Sequence, residues 1–272
     1  MNKIGSDTVF AGSVPELYDT HMVPLIFEPY AQDLARRVVA LKPARVLETA
    51  AGTGVVTRAL ARALPAGTEL IATDLNQAML DRAAAIGTQQ PVHWQQADAM
   101  QLPFDAASFD VVVCQFGVMF FPDRAHGFRE ARRVLRPGGT FLFNAWDRIE
   151  ENEFADVVTN ALATVFPADP PRFMARTPHG YSDRAQIAAD LAAAGFTAAP
   201  NIETIAARSR ADSPSVPAIA YCQGTPLRGE IQARAGATLA EATAICTSAI
   251  AARFGNGAVD TKIQAHVISI AA

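Results

Sequence analysis

Between Arg45 and Asp147 the chain repeatedly alternates a short apolar run with a stretch of helical spacing, and this restricts the fold more than any other feature. Arg45-Val46-Leu47-Glu48 reads as a strand that ends at Gly52-Thr53-Gly54. Val55 to Leu64 then places Val56, Leu60 and Leu64 on one helical face. Glu69 to Asp74 and Val92 to Gln96 read as strands, with a helix from Gln77 to Ile86 between them. Phe109-Asp110-Val111-Val112-Val113-Cys114 is a nearly unbroken β-branched run, the pattern of a strand covered on both faces. A helix over Arg124 to Leu135 stops at Pro137-Gly138-Gly139, and Thr140 to Trp146 reads as a fifth strand. Regular strand–helix alternation predicts a parallel sheet with helices on both faces.

The flanking sequence is less periodic. Helices are expected over Val14 to Tyr18, Pro29 to Leu41, Glu151 to Phe166, Pro217 to Ala235 and Leu239 to Phe254. Another spans Asp183 to Ala194, with Ser182 as its N-cap and Gly195 as its stop. Asn201 to Ser209 and Lys262 to Ile270 read as strands. Half of the 272 residues are apolar, which excludes a disordered or collagen-like chain. A formal charge of −4 argues against a nucleic-acid partner. The opening residues lack a secretory pattern, and no apolar run is long enough to span a membrane. Cys114, Cys222 and Cys246 stand far apart with no metal-ligand spacing, so they are expected to be buried free thiols. These features predict a cytoplasmic protein that holds no metal.

The turn Gly52-Thr53-Gly54 between a strand and a helix admits three readings: a bare tight turn, a dinucleotide site, or a site for a cationic ligand. The dinucleotide fingerprint needs a third glycine where this chain has Thr57. Strand ends of an open parallel sheet line one crevice, and here they carry Glu48, Asp74 and Asp98. Three carboxylates would repel a pyrophosphate, and the turn has no lysine to offset them. They would favour a ligand with ammonium and sulfonium charges and a free ribose.

These blocks resemble the class I S-adenosylmethionine-dependent methyltransferases, in particular the type 11 or ubiquinone-biosynthesis-like group. The resemblance runs from Val14 to Asp147. Val46 to Gly54 is similar to the family's first motif, and Asp74-Leu75-Asn76-Gln77-Ala78-Met79-Leu80 to its ribose-binding block. Ala97-Asp98-Ala99, Leu102-Pro103-Phe104, Phe109 to Val113 and Arg132 to Gly139 follow in the family's order. One departure is Ala50, where the family usually has glycine.

The resemblance implies a Rossmann-like α/β fold: a seven-stranded, mostly parallel sheet with an antiparallel last strand, helices on both faces and a helical cap. It implies a single domain over residues 1–272, with cover helices in 1–42, a cofactor-binding core in 43–147 and cap insertions at about 151–180 and 214–256 within 148–272. It also implies that S-adenosyl-L-methionine is the cofactor. Asp74 would hold the ribose hydroxyls, Leu75 and Met79 would pack on the adenine, and Asp98 and Ala99 would meet its edge. Glu48, Ala50, Gly52 and Gly54 would border the methionine portion, with Gln115 facing the methyl donor and Tyr18 covering it.

The expected reaction moves a methyl group to a small organic acceptor by in-line displacement. Tyr18, His21, Gln115, Asn144, His179 and Tyr181 are candidates for its chemistry, and residues 171–181 read as a lid loop. Phe116, Met119, Phe120 and Phe121 are either the floor of the acceptor site or ordinary core. A homodimer is compatible with this reading. Two rivals stay open: a nicotinamide-dependent oxidoreductase, and a protein that binds the cofactor without turning it over.

Overall fold

The computed structural model describes residues 7, 8, 12 and 14–272. Seven strands form one sheet: β1 (Arg45–Glu48), β2 (Glu69–Asp74), β3 (His93–Gln96), β4 (Phe109–Gln115), β5 (Leu135–Trp146), β6 (Asn201–Ala211) and β7 (Val259–Ala271). Their order is β3-β2-β1-β4-β5-β7-β6. All pairings from β3 to β5 are parallel. β7 runs against β5: Ala272 donates to the Gly139 carbonyl while Asp147 donates to that of Gln264, so one strand ascends as the other descends. The strand order reverses direction between β1 and β4, the switch point at which open α/β sheets form their crevice.

The chain divides into two compact units. One holds Glu28–Ala145, Tyr181–Ile205 and Ala265–Ala272, and with them β1 to β4 and most of β5. On one face of its sheet Val46, Val111, Val113 and Leu142 pack with Leu34, Val38, Val56 and Leu60 from the helices Glu28–Ala40 and Val55–Ala63. The opposite face is aromatic: Phe128, Phe141 and Phe143 lie with ring centroids 4.8–5.6 Å apart, and Phe196 stacks on Phe141. Apolar residues at both alternate positions of β4 are buried, which explains its unbroken β-branched run.

The other unit holds Met1–Phe27, Trp146–Gly180 and Ala206–Gln264. Its helices Glu153–Val165, Ser215–Gln223 and Leu239–Phe254 bury Phe154, Leu162, Tyr221 and Ile250. Cys222 and Cys246 are buried free thiols here, as Cys114 is in the sheet-bearing unit. No described helix is long and apolar enough to cross a membrane, and the described residues contain no cluster of metal-ligating side chains.

Several local expectations are corrected. Asp183, not Ser182, caps the helix Arg184–Ala193, its carboxylate accepting from the amides of Ala185 and Gln186. Pro226 splits the expected helix over Pro217 to Ala235 into Ser215–Gln223 and Leu227–Gln232. Residues 171–181 are no open lid: they include the short helix Phe173–Arg176, and Arg176 is held by Asp7 and Glu230. Val14 to Ala40 is helical throughout, with a π-wound segment Tyr18–Phe27 that the apolar spacing did not signal.

Candidate methyl-donor site

The carboxyl ends of β1, β2 and β4 bring the acidic and glycine-rich blocks together. The Gly52 and Gly54 backbones adopt left-handed φ of 56° and 84°, which turn the chain from β1 into the helix Val55–Ala63. A Cβ at Gly54 would stand 3.0 Å from the Trp94 ring, so the turn also needs a bare residue for packing. Ala50 is left-handed too, at φ 53°. Its methyl group fits because the facing residue is Gly117, where a Cβ would come within 2.5 Å of the Ala50 Cβ.

Glu48 is 1% exposed and accepts a 2.6 Å hydrogen bond from the Thr57 hydroxyl. Burial raises its carboxyl to a pKa of about 8, opposed by the Thr57 bond and the Arg58 charge and reinforced by Asp74. Asp74 accepts from the amides of Gly52 at 2.9 Å and Asn76 at 2.8 Å. Burial pushes its carboxyl upward and those bonds hold it back. Each carboxylate oxygen carries two lone pairs, so both keep capacity for a further donor.

Three polar atoms at these strand ends are buried without a partner: Thr53 Oγ1, Gln115 Oε1 and Asn144 Nδ2. Leu75, by contrast, is a large apolar side chain left 48% exposed beside Asp74. Buried carboxyls, unsatisfied polar atoms and an exposed apolar side chain therefore occur together at these strand ends, the composition of a ligand site.

Residues 47–143 match the family model described as "Methyltransferase domain". The demethylmenaquinone methyltransferase of Mycolicibacterium vanbaalenii is 33% identical over 172 residues, 60% of this chain and 72% of that protein. The chain belongs to the class I S-adenosylmethionine-dependent methyltransferases. The demethylmenaquinone methyltransferase of Deinococcus radiodurans is 39% identical over 110 residues, 40% of this chain and 45% of that protein. The chain thus spans less than half the length of several curated relatives that it matches. Among solved structures, the YcgJ protein of Bacillus subtilis shares the fold with a TM-score of 0.55 at 19% identity, covering 89% of this chain and 97% of that one.

The residues present fit the family's cofactor. Asp74 has free lone pairs that would take ribose hydroxyls, Glu48 offers a buried carboxyl that a cation would hold ionised, and the Thr53 and Gln115 oxygens have no protein partner. Leu75 is exposed for an adenine ring, whereas Met79 is 3% exposed and packs as core. Asp98 lies two residues beyond β3, and its Oδ1 accepts from the amide of Met100, so this carboxylate caps a turn; Ala99 lies within that turn.

The acceptor candidates are more scattered. His179 is buried, its Nδ1 2.9 Å from the Asp147 carbonyl, and burial lowers its pKa to about 4. Tyr181 donates to Asp190 at 2.7 Å beneath the Arg124 guanidinium, and burial raises its phenol. Tyr18 stands 5.2 Å from the Phe27 ring, and His21 lies in the same π-wound segment. Phe116 and Met119 are buried core.

Two participants were missed from sequence. Thr57 was read only as a departure from a dinucleotide fingerprint, yet it is the hydroxyl donor to Glu48. Arg58 supplies the cation that a search for lysine in the turn overlooked, and it also holds the Thr53 carbonyl at 2.5 Å. Their position one helical turn beyond Gly54 was the available signal.

Proposed function

We propose that the protein transfers the methyl group of S-adenosyl-L-methionine to a small oxygenated ring acceptor, of the hydroquinone type, and that residues 1–272 work as one such enzyme in the cytoplasm. The observation carrying the donor half is the pair Glu48 and Asp74, buried at adjacent strand ends with unfilled acceptor capacity. The acceptor half is supported by the demethylmenaquinone methyltransferase match over 72% of that relative.

The cofactor supplies an activated methyl group on a sulfonium, so the protein has no leaving group to create. Its own residues bind and orient. Asp74 would hold the ribose through charge-assisted hydrogen bonds, while Ala99 and the carboxylate of Asp98 would border the adenine. Glu48 and the Ala50 to Gly54 backbone would receive the methionine end, and the unpartnered Gln115 Oε1 would serve the positive donor region. Holding two reactants in line is worth about 7–11 kcal/mol of the barrier. A hydroquinone that arrives ionised needs no general base before the methyl group moves. Once S-adenosylhomocysteine has left, the proton on the methylated ring carbon is lost to water as the ring regains aromaticity. That step is compatible with a His179 made a weak base by burial and a Tyr181 locked to Asp190.

Labelled S-adenosylmethionine incubated with 1,4-naphthohydroquinone should yield a labelled ring product. Binding of S-adenosylhomocysteine without transfer to any hydroxylated aromatic would overturn the acceptor half. Calorimetry showing NAD bound and the adenosyl compounds silent would overturn the donor half. The buried Glu48 carboxyl under Thr57, where a pyrophosphate would need a third glycine, favours the adenosyl compounds.

A further inference from the structure

The β4–β5 ladder ends at the registered pair Gln115 and Asn144. Both side chains lie on the face that carries Glu48, Val113 and Leu142, because parallel neighbours in register point the same way. Asn144 is fully buried, and its Oδ1 accepts from the Phe116 amide at 3.0 Å. That bond fixes the amide's orientation: exchanging its oxygen and nitrogen would set an NH2 group against an N–H donor. The Nδ2 therefore faces away from Phe116, and it has no partner and no solvent. Beside it the Gln115 Oε1 is equally unpartnered. A buried donor left unmade costs about 1–3 kcal/mol, and a leucine such as the one at position 142 would fill the space without that cost.

One structural role is evident. Phe116 has a left-handed φ of 51°, and the Asn144 oxygen pins its amide there. This accounts for the oxygen but not for the NH2, since an aspartate would serve as well. With the Gln115 oxygen assigned to the methyl donor, the Asn144 NH2 is left as a buried donor in want of an acceptor oxygen.

The sheet order gives that molecule its place. Asp74, Glu48, Gln115 and Asn144 follow one another along β2-β1-β4-β5, with Asp98 two residues beyond the end of the neighbouring β3 and strands about 4.8 Å apart. With the nucleoside over β3 and β2 and the methionine end over β1 and β4, the position over β5 is left for the acceptor.

We propose that Asn144 is a substrate-binding residue whose side-chain NH2 donates to an oxygen of the methyl acceptor, selecting a carbonyl, enolate or phenolate compound over its hydrocarbon analogue. The assignment rests on the methyltransferase reading for its location, but its test does not depend on turnover. A neutral amide donor also stabilises an anionic oxygen without surrendering a proton, so the acceptor's nucleophilic carbon keeps its electron density.

The test uses full-length protein loaded with S-adenosylhomocysteine and compares 1-naphthol with 1-methylnaphthalene, an analogue of the same shape without the oxygen, by fluorescence titration. Wild-type protein should bind 1-naphthol about tenfold more tightly or better, the range expected of one buried hydrogen bond. Asn144→Asp keeps the acceptor for Phe116 and removes the NH2. At pH 8 it should lose the preference while binding S-adenosylhomocysteine within about twofold of wild type, and at low pH the protonated acid should restore part of it. If Asn144→Asp fails to fold, Asn144→Leu is tested in the same way; melting curves identify such a failure. Equal affinity for the two probes in the wild type, or an undiminished preference in the folded variant, would overturn the proposal. A preference for 1-naphthol that depends on Asn144, with no methyl transferred to any acceptor, would leave this assignment standing and remove the enzymatic reading instead.

Discussion

Cofactor binding should be coupled to the ionisation of Glu48. In the ligand-free protein its carboxyl has a pKa of about 8, because it is fully buried and its main stabilising contacts are one hydroxyl and the Arg58 charge. At pH 7 only about a tenth of it is ionised, and forcing the rest to ionise costs about 1.4 kcal/mol. S-adenosylmethionine would bring an ammonium and a sulfonium against this group and hold it as the carboxylate. Affinity should then rise about tenfold per pH unit from pH 6 to 8 and level off above that. At pH 7 binding should release about 0.9 proton.

Titration calorimetry in phosphate and in Tris measures this directly, since the slope of observed enthalpy against buffer ionisation enthalpy is the number of protons exchanged. Glu48→Gln should flatten the pH dependence and bind more weakly than wild type at pH 8. Stability gives an independent check on the sign. The folded pKa lies above the unfolded one, so the folded state holds the extra proton between about pH 4.5 and 8, and this group's contribution falls as pH rises through that window. The ligand-free wild type should therefore lose melting temperature across that range relative to Glu48→Gln. A flat affinity from pH 6 to 8 with less than about 0.2 proton released would refute the reasoning, because a carboxyl already ionised before binding has no proton to give.

Three further outcomes follow from the same site. Thr57→Val removes the hydroxyl that holds Glu48 and should move the midpoint of the binding titration to higher pH, read by the same calorimetry. Asp74→Ala should weaken S-adenosylmethionine binding at least about tenfold; an unchanged dissociation constant would remove Asp74 from the site. Gly117→Ala should cost about 1–3 kcal/mol in urea unfolding, because the new Cβ meets Ala50 Cβ at 2.5 Å and Cys114 Sγ at 2.7 Å; adding Ala50→Gly should recover part of it, a coupling of about 0.5 kcal/mol or more.

β1, β2 and β4 were legible because each is a short apolar run, closed in the first two by Glu48 and Asp74, and all three begin where the runs begin. β5 begins five residues before the expected Thr140, since the glycines after Pro137 extend the ladder with a shifted register instead of ending it. The carboxylates were legible as strand-end residues, and Glu48 and Asp74 do converge, each bonded to the turn or to the helix it opens. Arg133 was less legible. Its place in an arginine-rich helix end reads as solvated surface, whereas it is half-buried, bonded to Glu130 and to the carbonyls of Leu102 and Phe104. The surroundings of His179 and Tyr181 were illegible for a different reason. A histidine or tyrosine in a loop looks the same whether its polar atom is free or engaged, and only coordinates reveal that His179 and Tyr181 are engaged.

That difference bears on where specificity resides in such a chain. The residues proposed for the donor sit on β1 and β2 and in the turns that follow them, where local spacing and backbone geometry determine the fold and would also set the contacts, so one motif would encode both. Asn144 is distinguished by none of this: it occupies an ordinary strand position that an apolar residue would fill at lower cost. The sequence marks it only as one candidate among several, and what separates it is that its oxygen is bonded to a strained Phe116 amide and its nitrogen to nothing. An apolar residue there would simplify the core but could neither pin Phe116 nor present a donor to a ligand. In the proposed site, donor recognition would thus be conferred by motifs, whereas acceptor recognition would rest on a single buried amide whose NH2 the protein leaves unpaired.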